Sequence, residues 1–390
     1  MKRYSYALLV AVVVLACSAP GTLVDETSPP PTATGSVGPP TPTPSSVPPT
    51  AVPPSPTPLS PVITADTVGH LTVGLTFGEG AISSLAFSPD GTVLAVAEVD
   101  IIPAIGTIQL YEAATGLPLR RLEGHTSGAA GLAFSPDGRY LASVHSRDRT
   151  ARIWDWAAGT TVKVIEFPNE VVAVAFSPDS RTLAVGGVDE LPGKLLQDAA
   201  IWTYAVDSWL PQLKLAEYWN IPDLAYSPDG SLIVGGGISR NARVWRSSDG
   251  AQLFILYHPA QVARMAVSAD GSTAATTLCE ASEDGQCTRG AVWLWSLTTG
   301  RHIKTLSGFS AGVGDVAYTT DGSVLFATSR DGTLFAYSTL DYRILLNTTA
   351  PAGPVGLALS ANGRFLATSG WLGPPAAPTS GRIHIWSVGE

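Results

Sequence analysis

A five-residue turn that returns seven times constrains this chain more than any other feature. Its clearest copy is Phe87-Ser88-Pro89-Asp90-Gly91. Further copies start at Phe134, Phe176, Tyr226, Val267, Tyr318 and Leu359, the last reading Leu359-Ser360-Ala361-Asn362-Gly363. Successive copies lie 47, 42, 50, 41, 51 and 41 residues apart. A repeat in this range is the mark of an architecture that stacks one supersecondary unit many times. Ser-Pro-Asp-Gly suits a type I turn, with Ser capping, Pro presetting φ and Gly closing. An apolar residue precedes each turn and an alternating run such as Val93-Leu94-Ala95-Val96 follows it, so each copy is the tip of a hairpin.

Each repeat reads as four strands, a to d. In the second these are Ala130 to Phe134, Tyr140 to Val144, Thr150 to Asp155 and Val162 to Glu166. The c strands recur and end on Trp or Tyr, as at Tyr111, Trp154, Trp202, Trp245, Trp295, Tyr337 and Trp386. Core packing between repeats accounts for these aromatics. The 39 glycines and 31 prolines fit a turn-rich β protein, as does a charged fraction of only 14%.

The beginning of the chain is a different material. Lys2-Arg3 followed by apolar Ala7 to Leu15 reads as a signal peptide over residues 1–16, too short to span a bilayer. Val14-Leu15-Ala16-Cys17 resembles a bacterial lipobox, which would leave Cys17 as a lipidated N-terminus; an ordinary secretory signal is the alternative. Residues 17–65 form a tether rich in Pro, Thr and Ser, with fifteen prolines between 18 and 61. Such a composition builds no core and extends about 3 Å per residue. Removal of Lys2 and Arg3 takes the formal charge from -9 to -11. An acidic chain without a basic stripe is a poor nucleic-acid binder. Cys279 and Cys287, eight apart in an exported domain, are expected to form a disulfide.

From about residue 66 to residue 390 the chain resembles WD40-repeat β-propellers. The second repeat carries the resemblance best, through Gly124-His125, Ser143, Asp148 and Trp154-Asp155. In that family such a His, Ser, Asp and Trp make a structural hydrogen-bond network within a blade. His258 and Phe309 occupy the slot of His125, Asp331 matches in part, and elsewhere the tetrad is lost. The resemblance implies an all-β fold, a seven-bladed β-propeller of four-stranded antiparallel blades. The last repeat lacks a strand d, and Leu71 to Phe77 is a spare alternating strand ahead of the first turn. This N-terminal strand is expected to close the ring as the outer strand of blade 7.

Catalytic constellations are missing from the sequence. The six histidines are scattered without metal-ligand spacing, and neither a Gly-x-Ser-x-Gly elbow nor a phosphate-binding glycine loop occurs. No metal and no cofactor are expected. Glu280, Glu283 and Asp284 could suggest calcium, although a solvated hairpin tip explains them as well.

Functional expectation therefore falls on the loops. Odd repeats are longer than even ones, and the extra residues lie between strands b and c: Glu98 to Gly106, Val188 to Asp198, Glu280 to Gly290 and Trp371 to Gly381. In an up-and-down blade these share one face with the d–a loops. Long loops on a rigid scaffold are where binding residues concentrate, and neutral surface drift is the alternative. The expected partner site is the seam of blades 7 and 1, with Trp371, Leu372, Ile101 and Ile102, joined by Tyr218 and Trp219 of a d–a loop. The alternative is that these loops fold together and cap the seam. The reading is a non-catalytic, surface-anchored, monomeric scaffold for a protein, peptide or glycan. Its rival is a propeller enzyme or small-ligand sensor using the central channel, which a polar, convergent cluster of acids and His at the channel mouth would favour, whereas an apolar crown without it favours the scaffold.

Overall fold

The computed structural model of the protein describes residues 61–78, 81–99, 106–126, 129–189, 198–218, 221–237, 240–283, 286–350, 354–370 and 382–389. Blade 1 consists of Ala81–Phe87, Val93–Val99, Gly106–Glu112 and Pro118–His125. Five further four-stranded antiparallel sheets follow in chain order as blades 2 to 6. Blade 7 takes Pro354–Leu359, Leu366–Gly370 and Arg382–Val388 from the end of the chain and Leu71–Phe77 from its beginning. Leu71 pairs with Val388 and Phe77 with Ile383, with a bulge between Val73 and Leu75. Strand a of every blade lies beside strand a of the next, blade 7 returning to blade 1. The fold is a closed seven-bladed β-propeller. Among the described residues no helix is long and apolar enough to cross a membrane.

Strand alternation explains why the blades stack. Successive side chains point to opposite faces of a strand. In Val93–Val99, Val93, Ala95 and Ala97 pack towards blade 2, while Leu94 and Val96 pack towards blade 7. Seven apolar clusters result, one between each pair of neighbours. The strand c aromatics fill them: Trp154 between blades 1 and 2, Trp245 between 3 and 4, Trp295 between 4 and 5, Trp386 between 6 and 7. Ile63 is fully buried between blades 6 and 7, so the packed ring begins ahead of residue 66.

The turns work through one hydroxyl. Ser88 Oγ donates to Asp90 Oδ1 at 2.6 Å and accepts the Val93 N–H at 2.9 Å, while the Gly91 N–H closes the turn on Ser88 O at 2.8 Å. The same bonds recur at Ser135, Ser177, Ser227, Ser268, Thr319 and Ser360. The hydroxyl is thus satisfied although buried. The last turn residue sits at positive φ, +71° at Gly91. Blade 3 places Ser180 there at φ 61°, and its Oγ accepts the Asp137 N–H of blade 2 at 2.9 Å.

Candidate functional site

One face of the ring is built differently from the other. In blades 2, 4 and 6 strands b and c meet in short turns, with four residues between paired His145 and Thr150 and three between Gly237 and Asn241. In blade 5 the same two strands run to eleven residues each, Thr273–Glu283 and Gln286–Ser296. The added residues form a two-stranded ribbon rather than an open loop. Cys279 and Cys287 are joined by a disulfide across it, with Cα atoms 5.8 Å apart. Glu280 accepts from Trp293 Nε1 at 3.2 Å and pairs with Arg289 at 3.4 Å, which leaves it a structural carboxylate. At the ribbon's root, Gly290 leaves no room for a Cβ against Ala311 O and Val313 N of blade 6. The ribbon therefore leans on the entry to the sixth blade's inner strand.

The inner strands line the central channel. The residue three before each turn motif lies at the channel wall: Ser84, Gly131, Ala173, Asp223, Arg264, Asp315 and Gly356. Blades 7, 1, 2 and 3 contribute small residues, and blades 4, 5 and 6 contribute charge. All three charged residues fall within the first three positions of their strands. They stand at the end where the d–a segments arrive, the face that carries the blade 5 ribbon.

Two main-chain links hold the carboxylates. Asp223 Oδ2 accepts the Met265 N–H of blade 5 at 2.8 Å, and Oδ1 accepts the Leu224 N–H at 3.0 Å. Asp315 Oδ2 accepts the Leu357 N–H of blade 7 at 3.0 Å, and Oδ1 accepts the Val316 N–H at 2.9 Å. Burial raises both carboxyls, with Arg264 opposing. Asp315 is pushed up to about 7 by burial, Arg264 pulling down and Asp223 adding to the rise. A carboxyl held at that level changes charge near neutrality.

Blade 2 holds a buried polar network. Trp154 Nε1 donates to Ser143 Oγ at 2.8 Å, Ser143 Oγ lies 2.7 Å from His125 Nε2, and His125 Nδ1 lies 2.7 Å from Asp148 Oδ2. One proton arrangement satisfies the chain. Ser143 donates to Nε2, so His125 carries its proton on Nδ1 and donates to Asp148. Burial holds His125 below its usual range; burial would raise Asp148, but the hydrogen bonds it accepts from His125 and Thr150 outweigh this and hold it well below the carboxylate range. Blade 5 contains a version that the spacing concealed. Trp295 Nε1 donates to His258 Nε2 at 3.0 Å and to Thr276 Oγ1 at 3.2 Å, and His258 Nε2 lies 2.8 Å from Thr276 Oγ1. Trp386 Nε1 donates to Thr368 Oγ1 at 2.9 Å in blade 7. The tetrad is therefore eroded beyond blade 2 rather than erased.

The family described as "WD domain, G-beta repeat" matches residues 69–100, 116–155, 159–190, 215–246 and 300–338. The chain carries WD40 repeats. Similar proteins include an uncharacterized WD repeat-containing protein of Synechocystis, 33% identical over 28% of this chain and 30% of the relative. The B-type cell cycle switch protein ccs52B of Medicago truncatula is 28% identical over 65% of this chain and 49% of its own length. The target of rapamycin complex subunit wat1 of Schizosaccharomyces pombe is 26% identical over 52% of this chain and 63% of its own. The WD40 chain thus spans less than two thirds of each.

Of the residues expected to bind a partner, Ile101, Ile102, Trp219, Trp371 and Leu372 lie outside the described residues, as does Cys17. Tyr218 ends the outer strand of blade 3, Pro211–Tyr218. Asp223, Arg264 and Asp315 were not singled out by the sequence reading, although the position three before the motif contained the signal. The opposite rim exposes Leu117, Leu210 and Leu340 at c–d turns, but on blades 1, 3 and 6, which do not form one continuous patch. Isolated apolar tips of this kind are ordinary.

Proposed function

We propose that this WD40 propeller is a non-catalytic interaction scaffold that presents its b–c/d–a face to a protein, peptide or glycan partner. The observation that carries the reading is the disulfide-pinned ribbon of blade 5, a rigid projection from that face and from no short-turned even blade. A preorganised projection binds without the entropy of ordering a loop. The names of the relatives speak of a complex subunit and a switch protein, which suits a scaffold. Anchoring at a membrane through a lipidated Cys17, outside the cytoplasm, belongs to the same proposal; it rests on the leader and on the disulfide, which persists in oxidising compartments. The seam residues Ile101, Ile102, Trp371 and Leu372, with Trp219, remain the proposed anchors, since large aromatic and apolar groups carry interface energy.

The test is capture from envelope extract by the full chain, beside a variant whose ribbon tip, residues 281–286, is replaced by a two-residue turn, and beside Trp371→Ala. Loss of the same captured protein in both variants, at unchanged melting temperature, supports the reading. Equal capture by wild type and both variants overturns it. A Cys17→Ser chain that still partitions with membranes would overturn the anchoring.

Asp223 and Asp315 at the channel mouth supply the acids that the rival, a small-ligand sensor, would use, with Arg264 beside them in place of a histidine. Asp223→Asn and Asp315→Asn chains separate the two, because capture of a protein partner through the ribbon would survive both changes.

A further inference from the structure

His145 does a job in blade 2 that needs no imidazole. Its Nδ1 accepts the Asp148 N–H at 3.1 Å. In blade 6 the same contact, Asp331 N–H to its turn, is taken by Ser329 Oγ at 3.5 Å. The b–c turn of blade 2 carries one residue more than that of blade 4, and the side chain it places here is a second histidine beside the tetrad. His145 Nδ1, having accepted an N–H, carries no proton. It nevertheless faces Asp148 Oδ1 at 3.5 Å, lone pair towards carboxylate. His125 stands on the other carboxylate oxygen, and one ligand atom from each of His125, His145 and Asp148 lies within 4.8 Å of the other two. The histidines are buried and Asp148 is 9% exposed at its side chain, so the group is held by packing and opens narrowly to solvent.

We propose that His125, His145 and Asp148 form a site for a divalent transition metal of the zinc class on blade 2. Two imidazoles and a carboxylate are a donor set that such ions accept, at about 2.0–2.2 Å from the metal, with a fourth position for water. Drawing the three ligand atoms together demands movements of about an ångström from the positions in the metal-free network. Asp148 is already ionised, and His145 Nδ1 already offers its lone pair, giving up the Asp148 N–H. His125 must change tautomer: its proton moves from Nδ1 to Nε2, and Nε2–H then donates to Ser143 Oγ, which had donated to it. Nδ1 is freed for the metal and no proton leaves the site. Trp154 stays bonded to Ser143 throughout, so the blade keeps its inner anchor while the outer half of the network is handed to the ion.

The experiment uses the full chain in a Cys17→Ser background, so that this thiol does not compete. The chain is stripped with EDTA, dialysed and titrated with zinc chloride by calorimetry, and with cobalt(II) by visible absorption. One ion per chain is expected, with a cobalt spectrum of four-coordinate nitrogen and oxygen ligation. His145→Ser copies the residue used by blade 6 and should weaken zinc binding at least tenfold while leaving the melting temperature in EDTA unchanged. His145→Asn serves if the serine chain fails to fold. His302→Ala, a surface histidine of blade 5, should bind as wild type does. No saturable uptake by wild type, or equal affinity in the His145 variants, overturns the proposal.

Discussion

Replacing Asp315 by Asn should stabilise the propeller in mild alkali and destabilise it in acid. Asp315 lines the channel, yet it is ringed by protein and held by two main-chain N–H groups. Burial pushes its carboxyl up to about 7, from 3.8 in an unperturbed chain. Between those limits the folded protein holds a proton that the unfolded chain has lost. Stability from this group is thus fully present below about pH 4 and falls as pH rises, by about 1.4 kcal/mol per unit, until it levels off above 7. The accumulated loss is at most about 4 kcal/mol, and water in the channel reduces it. The amide of the variant cannot ionise and escapes that loss. Its oxygen still accepts one N–H, but the second loses its acceptor, a cost of about 1 kcal/mol. At pH 8 the variant should be the more stable by up to about 3 kcal/mol, and at pH 4 the less stable by about 1 kcal/mol. Urea unfolding of both chains at pH 4, 6 and 8 reads the crossing directly. A variant less stable by the same amount at every pH would mean that Asp315 titrates as an ordinary carboxyl, and burial would not be what governs its charge.

Gly116 lies at φ +71°, and a Cβ there would stand 2.5 Å from the Phe77 ring of the closing strand, whereas Gly138 at φ +74° faces open space. Gly116→Ala should cost about 1–3 kcal/mol more than Gly138→Ala, since both pay the backbone strain but only the first overpacks, and thermal unfolding of the two variants compares them. Ser143→Ala leaves Trp154 Nε1–H and His125 Nε2 unpaired in a dry blade and should cost about 2–4 kcal/mol, while Thr276→Val in blade 5 should cost less, about 1 kcal/mol, because Trp295 Nε1 still donates to His258 Nε2; stability equal to wild type for Ser143→Ala in urea, or a cost for Thr276→Val as large as that of Ser143→Ala, would refute this account of the two networks. Reducing the disulfide between Cys279 and Cys287 should lower stability by about 2–3 kcal/mol on the loop-entropy model and leave the ring's circular dichroism intact, which paired melts with and without dithiothreitol would check.

What could be read from the sequence was whatever depends on neighbours along the chain. The turn's chemistry is local, so seven copies of Ser-x-Asp-Gly or its relatives disclosed seven blades, and the one strand left over, Leu71 to Phe77, disclosed the closure. The network of blade 5 escaped because its ribbon moves Trp295 to 19 residues after Thr276, against 11 from Ser143 to Trp154; pairing across the sheet restores the match that counting loses. The channel cluster escaped for another reason. Asp223, Arg264 and Asp315 lie scores of residues apart and become neighbours only when the strands form a circle, so their pattern appears when the motif copies are aligned on one another. His145 and Asp148 are close in sequence, but the third member, His125, arrives from the preceding blade's outer strand, Pro118–His125.

The pairing of Leu71–Phe77 with Arg382–Val388 also sets a condition in time. A ribosome makes the outer strand of blade 7 first and its partner only at the end of the last repeat. Until then the seam between blades 7 and 1 has no second wall, and Phe77, Leu94 and Val96 wait for Ile383 and Ile385. The first six blades can assemble as they emerge, but the circle is joined in a single late event. A messenger cut short, or a frameshift in the final repeat, therefore yields a chain with every early blade in order and its apolar seam open to proteases, so that closure itself reports that translation reached Val388.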